Sequence, residues 1–98
     1  MAQINWTDRA LEDIDNIIQF YVSQSENYAK VLTQRIFDKV ELLNSLPWIG
    51  RVVPELEFKF VREIIVGSHR IVYHIVSKER IDILRVHHSS LPLDIQQI

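Results

Sequence analysis

The sequence predicts an α+β fold in the order β-α-α-β-β-β: a short N-terminal strand, then an antiparallel helical hairpin packed on one face of a small antiparallel sheet. Three features predict it. Apolar residues recur at three- and four-residue spacing through two segments of the first half. The second half is instead rich in β-branched residues and interrupted by two turn signals, "GS" and "SKER". No repeat, low-complexity tract or linker divides the 98 residues, so residues 1–98 read as a single domain.

Each element has its own signal. In "AQINW" polar and apolar residues alternate, with Ile4 and Trp6 on one side, as in a half-buried strand. Thr7 offers an N-cap hydroxyl and Asp8 an acid in the first turn of the helix that follows. Leu11, Ile14, Ile18 and Tyr21 form its apolar stripe, which Ile17, Phe20 and Val22 widen beyond one face. After the polar break "SQSEN" a second helix carries Ala29, Leu32, Ile36, Val40 and Leu43, until "NSLPWIG" stops it with Pro47 and Gly50. The run "FVREIIVGSHRIVYHIVSKERIDILRVHH" then reads as a three-stranded antiparallel meander.

Composition bounds the function. No run of about 18 apolar residues is present that would span a bilayer, and the N-terminus has no signal-peptide pattern, so a soluble, cytoplasmic protein without membrane partners is expected. There is no cysteine, hence no disulfide framework and no thiolate ligand. The net charge is −2; residues 1–49 carry four Lys/Arg against seven Asp/Glu, and residues 50–98 seven against six. That balance argues against a domain living on nucleic-acid backbone, and no sequence-specific DNA binding by this chain alone is expected.

The strands pose a problem. Ile71, Tyr73 and Ile75 should face one way and Val72 and Val76 the other, beside Arg70 and His74; Ile81 and Ile83 should oppose Leu84 and Val86. A sheet covered on one side only should be polar on its outer face. Either loops such as residues 44–60 fold over that face, or another polypeptide covers it.

The ordered set "WTDRALEDIDNIIQFY", "LPWIGRVVPE", "VREIIVGSHRIVYHI" and "IDILRVHH", from Trp6 to His88, resembles the RelE/ParE superfamily of type II toxins. The resemblance implies a helical hairpin on a small antiparallel sheet, and a growth-arresting poison neutralised by a cognate antitoxin whose tail wraps the toxin. It also implies one of two activities: ParE-like members inhibit DNA gyrase, and RelE-like members cut mRNA on the ribosome.

Cleavage by 2′-hydroxyl attack needs a base, an acid and a cation for the developing phosphorane charge. The resemblance points to Arg70 as the phosphate-holding cation, His87 or His88 as acid or base, and Glu55 of "VPE" as an alternative base. Each has a structural reading as well. Arg70 would pair with Glu55 or Glu63, and only one of two adjacent strand histidines faces a given site. No metal site and no cofactor are expected. The lysine-rich strand of ribosome-dependent members is missing, with only Lys59 in "ELEFKF", and the tail "SSLPLDIQQI" departs from their basic or aromatic ends. The preferred reading is therefore a ParE-like toxin acting on DNA gyrase without a reaction of its own. Arg62, Arg70, Val72, His74 and Arg85 are expected to contact antitoxin or target, with Arg85 at a groove rim or on an antitoxin carboxylate. A ribosome-dependent endoribonuclease, or a homologue that has lost activity, is the alternative.

Overall fold

The computed structural model describes residues 2–98. Its elements are β1 (Gln3–Trp6), α1 (Asp8–Val22), α2 (Glu26–Glu41), β2 (Arg51–Val52), β3 (Val61–Val66), β4 (His69–Ser77) and β5 (Arg80–His88), with short 3-10 turns at Leu42–Asn44 and Ile95–Gln97. The five strands form one sheet in the order β1-β5-β4-β3-β2. The expected helical hairpin and meander are both present. The sheet, however, is mixed: β1 lies parallel to β5, with Gln3 opposite Arg80 and Trp6 opposite Ile83. Such a pairing joins the two ends of the chain and leaves no local turn signal. The two-residue β2, antiparallel to β3, is too short to show a period.

Side-chain caps start both helices, and the first also fastens α1 to the sheet. The Thr7 hydroxyl accepts from the Ala10 N–H at 3.2 Å and donates to the Ile83 carbonyl at 2.7 Å, so one side chain starts α1 and ties it to β5. Ser25 caps α2 by accepting from the Tyr28 N–H at 3.1 Å. Ile14, Leu32, Ile36 and Val40 of the helices pack on Ile71, Tyr73, Ile75, Ile81 and Ile83 of the sheet, which makes the main core. No helix among the described residues is long and apolar enough to cross a membrane.

The opposite sheet face carries a second, smaller cluster of Val53, Val72 and Leu93, with Leu56, Val61, Leu84 and Ile98 against it. The chain therefore covers part of this face itself, using the segment after β2 and its own C-terminal tail. Val86 departs from simple alternation. It packs in the main core rather than beside Leu84, because the β4–β5 register shifts between Tyr73↔Ile83 and Val72↔Arg85. The extra residue of this bulge flips the faces of everything after it.

Gly50 sits where no side chain fits. Its N–H donates to the buried Tyr73 hydroxyl at 3.0 Å, and that hydroxyl donates to the Pro47 carbonyl at 2.8 Å. A Cβ on Gly50 would lie 2.5 Å from the Tyr73 oxygen and 2.6 Å from the Glu63 carbonyl oxygen. Gly50→Ala should therefore lower stability by about 1–3 kcal/mol in urea unfolding. Tyr73→Phe, which strands the Gly50 N–H and the Pro47 carbonyl, should cost a similar ~1–3 kcal/mol. An unchanged midpoint for both variants would mean that the loop is not anchored through this hydroxyl.

Candidate functional site

Strand alternation places Glu63 of β3 and Arg70 of β4 on the second sheet face, and the turn after β2 brings Glu55 over them. The Arg70 Nε donates to Glu63 Oε1 at 2.7 Å, while Nη1 and Nη2 donate to the two Glu55 oxygens at 2.7 and 2.6 Å. The other Glu63 oxygen accepts from Arg51 Nε at 2.7 Å. Glu55 Oε2 also accepts from the Leu93 N–H at 3.2 Å. The result is a row of alternating charges, Arg51–Glu63–Arg70–Glu55, closed by the backbone of the tail. The Glu63 side chain is 0% exposed and that of Arg70 6%, so these groups have little water to fall back on.

The electrostatics follow from the pairing. The Arg70 hydrogen bonds hold the Glu55 carboxyl down at about 2, against the upward push of its partial burial. Arg70 is correspondingly raised above its usual value, chiefly by Glu55 and against the opposing effect of burial. Glu55 is thus ionised near neutral pH but a feeble proton acceptor, and Arg70 already spends three of its five N–H donors on carboxylates. Chemically this is a clamp that holds the β2–β3 connection and the tail onto the sheet.

The two terminal histidines leave β5 on opposite sides. His87 lies opposite Arg70 in the ladder, is buried, and donates from Nε2 to the Pro92 carbonyl at 3.2 Å. His88 is exposed and lies across from His69, with ring centroids 5.4 Å apart; its Nδ1 contacts the Ser90 hydroxyl at 2.7 Å. His69 is itself buried, its Nδ1 has no hydrogen-bond partner, and it is pushed down first by burial and then by His88. Among the residues expected to act in cleavage, Glu55, Arg70 and His87 therefore come together and His88 does not.

The expected contact residues scatter. Val72 lies wholly beneath Val53 and Leu93, so it meets a partner only if the tail moves. His74 is half-buried opposite Asp82. Arg85 finds its carboxylate within this chain: Nε and Nη2 donate to Asp13 of α1 at 2.7 and 3.0 Å, and Nη1 donates to the Gln97 carbonyl. Asp13 also accepts from the Val86 N–H at 2.9 Å, satisfying the part of β5 that β1 does not reach. Arg62 lies elsewhere, its guanidinium over the Trp48 ring. Among the described residues no group of three or more His, Cys, Asp or Glu side chains converges to hold a metal ion. Sequence reasoning missed Arg51, Leu93 and Asp13. For Asp13 the only available signal was an acid on the polar side of a helix.

Comparison with known proteins decides the family. A family model described as "ParE toxin of type II toxin-antitoxin system, parDE" matches residues 4–91. The chain belongs to the ParE toxin family. Among solved structures it is similar to one titled "Chromosomal ParDE TA system from P. aeruginosa", at 26% identity and a TM-score of 0.75 over 90% of this chain and 96% of that one. No curated protein matches it. The family match ends just before Pro92 and Leu93, the tail residues that meet His87 and Glu55 in this chain.

Arg70→Ala should destabilise the protein by about 3–5 kcal/mol, because it leaves the Glu63 carboxylate buried without its inner partner. Glu55 gives the protein a signature in acid. Its folded value lies below the ordinary 4.5, so its contribution is present above that pH and fades as pH falls from 4.5 through about 2. Thermal unfolding across that window should show a steep loss for the native chain and a shallower one for Glu55→Gln.

Proposed function

We propose that this ParE-family toxin arrests growth by binding and inhibiting DNA gyrase, breaks no bond itself, and is neutralised by a cognate antitoxin. The observation that carries the non-catalytic reading is the closed clamp. The arginine that would hold a phosphorane is bound to two carboxylates, the candidate base is depressed to about 2, and the tail lies across both. The antitoxin reading is supported by apolar surface on the outside of the hairpin. Phe20, Val22, Tyr28 and Val31 are exposed, and a groove of about 650 Å³ between the helices is lined by Ile18, Val22 and Ala29 among polar and charged side chains that include Glu26 and Lys30.

One observation favours the endoribonuclease as a second reading: Arg70, Glu55 and His87 share one patch, and lifting residues 92–98 would uncover it. The two readings separate in purified systems. The protein should inhibit DNA supercoiling by gyrase, with inhibition relieved by the antitoxin, and should leave mRNA on translating ribosomes intact. Cleavage in the ribosomal A site, abolished by Arg70→Lys in a protein that still folds, would reverse the ranking.

A further inference from the structure

The loops on either side of β2, between α2 and β3, carry a feature that neither the clamp nor the hairpin groove uses. Trp48 and Phe60 lie side by side with ring centroids 5.6 Å apart and planes inclined by 58°, and both are about half exposed, at 46% and 49%. The Arg62 guanidinium sits 4.9 Å above the Trp48 ring, and the Lys59 ammonium 5.7 Å from the Phe60 ring. Arg62 is also held from below. Its Nε donates to the Lys59 carbonyl at 3.1 Å and its Nη1 to the Gly50 carbonyl at 2.8 Å, which fixes the fork and leaves its outer N–H groups unspent. Neither Lys59 nor Arg62 forms an ion pair with a carboxylate among the described residues. Of the two acids in these loops, Glu55 is consumed by Arg70, leaving only Glu57.

A half-exposed tryptophan beside a preorganised arginine has the composition of a binding hot spot, and its rigidity lowers the ordering cost of association. The two unpaired cations call for an anionic partner, and the rings call for an apolar one. A polyanion is the poorer fit, because gripping nucleic-acid backbone takes many cations and this chain has a net charge of −2. The platform also lies away from the hairpin groove. That groove is built from the C-terminal part of α1 and the N-terminal half of α2, whereas the platform follows the C-terminal end of α2.

We infer that the Trp48–Phe60 platform with Lys59 and Arg62 is a docking surface for an acidic segment of the growth-arrest target protein, taking a carboxylate on Arg62 and an apolar side chain against the rings. The inference rests on the reading that the toxin acts by binding a protein.

The test uses the full chain with Trp48→Ala, Lys59→Glu and Arg62→Glu, and with Lys78→Glu, an exposed cation of the β4–β5 turn, as the control. Growth arrest on expression, affinity for purified gyrase, affinity for the cognate antitoxin and melting temperature are measured for each. Trp48→Ala and Arg62→Glu should weaken gyrase binding about thirtyfold or more and abolish growth arrest, with antitoxin affinity unchanged. Lys59→Glu, whose side chain makes no hydrogen bond or ion pair among the described residues and only the exposed contact with the Phe60 ring, should weaken both effects about fivefold or more with little change in melting temperature, so it decides the matter if Arg62→Glu folds poorly. Growth arrest preserved in both Trp48→Ala and Lys59→Glu overturns the inference. So does a loss of antitoxin affinity in step with the loss of arrest, or wild-type binding of a labelled single-stranded oligonucleotide that the same variants abolish. Should the native chain fail to bind gyrase, the proposed target is wrong. Arrest lost with antitoxin affinity intact would still support the platform.

Discussion

The guanidinium of Arg70 is the constraint on which the second face of this molecule depends. Buried between the Glu63 and Glu55 carboxylates, it joins β3, β4 and the segment after β2 through three charge-assisted hydrogen bonds. Two carboxylates brought this close without it would repel one another, with Glu63 fully buried and only Glu55 reached by water. Apolar packing follows the charges. With Glu55 held over the sheet, Val53 and Leu56 come down on Val72, and the Leu93 N–H finds its acceptor on Glu55. The tail is thus positioned by a polar contact and retained by an apolar one.

A second polar contact does comparable work on the other side. Asp13 holds Arg85 and accepts from the Val86 N–H, at the place where β1 has ended and the edge of β5 would otherwise be open. One helix carboxylate thereby substitutes for a missing strand. Because Arg85 follows the bulge at Leu84, the same contact also braces the point where the ladder changes register. Of the three arginines that sequence reasoning assigned to partners, Arg70 and Arg85 are neutralised within the chain, and only Arg62 has no carboxylate partner among the described residues.

Much of this was legible from residues alone, for identifiable reasons. The helices announce themselves through their stripes and through Thr7, and the opposite facing of His87 and His88 follows from the period of a strand. The pairing of Arg70 with Glu55 and Glu63 was a plausible reading, because a buried arginine needs anions and these were the nearest candidates. What escaped detection depends on long-range contact. The parallel β1–β5 ladder, the Asp13–Arg85 pair across 72 residues and the placement of the tail leave no local pattern. The bulge that returns Val86 to the core is a one-residue shift that strict alternation cannot express. The Trp48–Phe60 contact was hidden because its two rings lie on either side of the short β2, in stretches without a period.

The parallel ladder between the first and last strands has a consequence for the birth of the molecule. Gln3–Trp6 can be paired only when Arg80–Ile83 is available, and the Thr7 cap of α1 is tied to the same late strand. Nearly the whole chain must therefore be made before the first strand has anywhere to go. Closure of so large a loop is entropically slow, and folding dominated by such contacts lags behind local helix formation. During synthesis the residues of the hairpin are complete before the strand that closes the sheet exists, and the fold itself stays incomplete until that strand has left the ribosome.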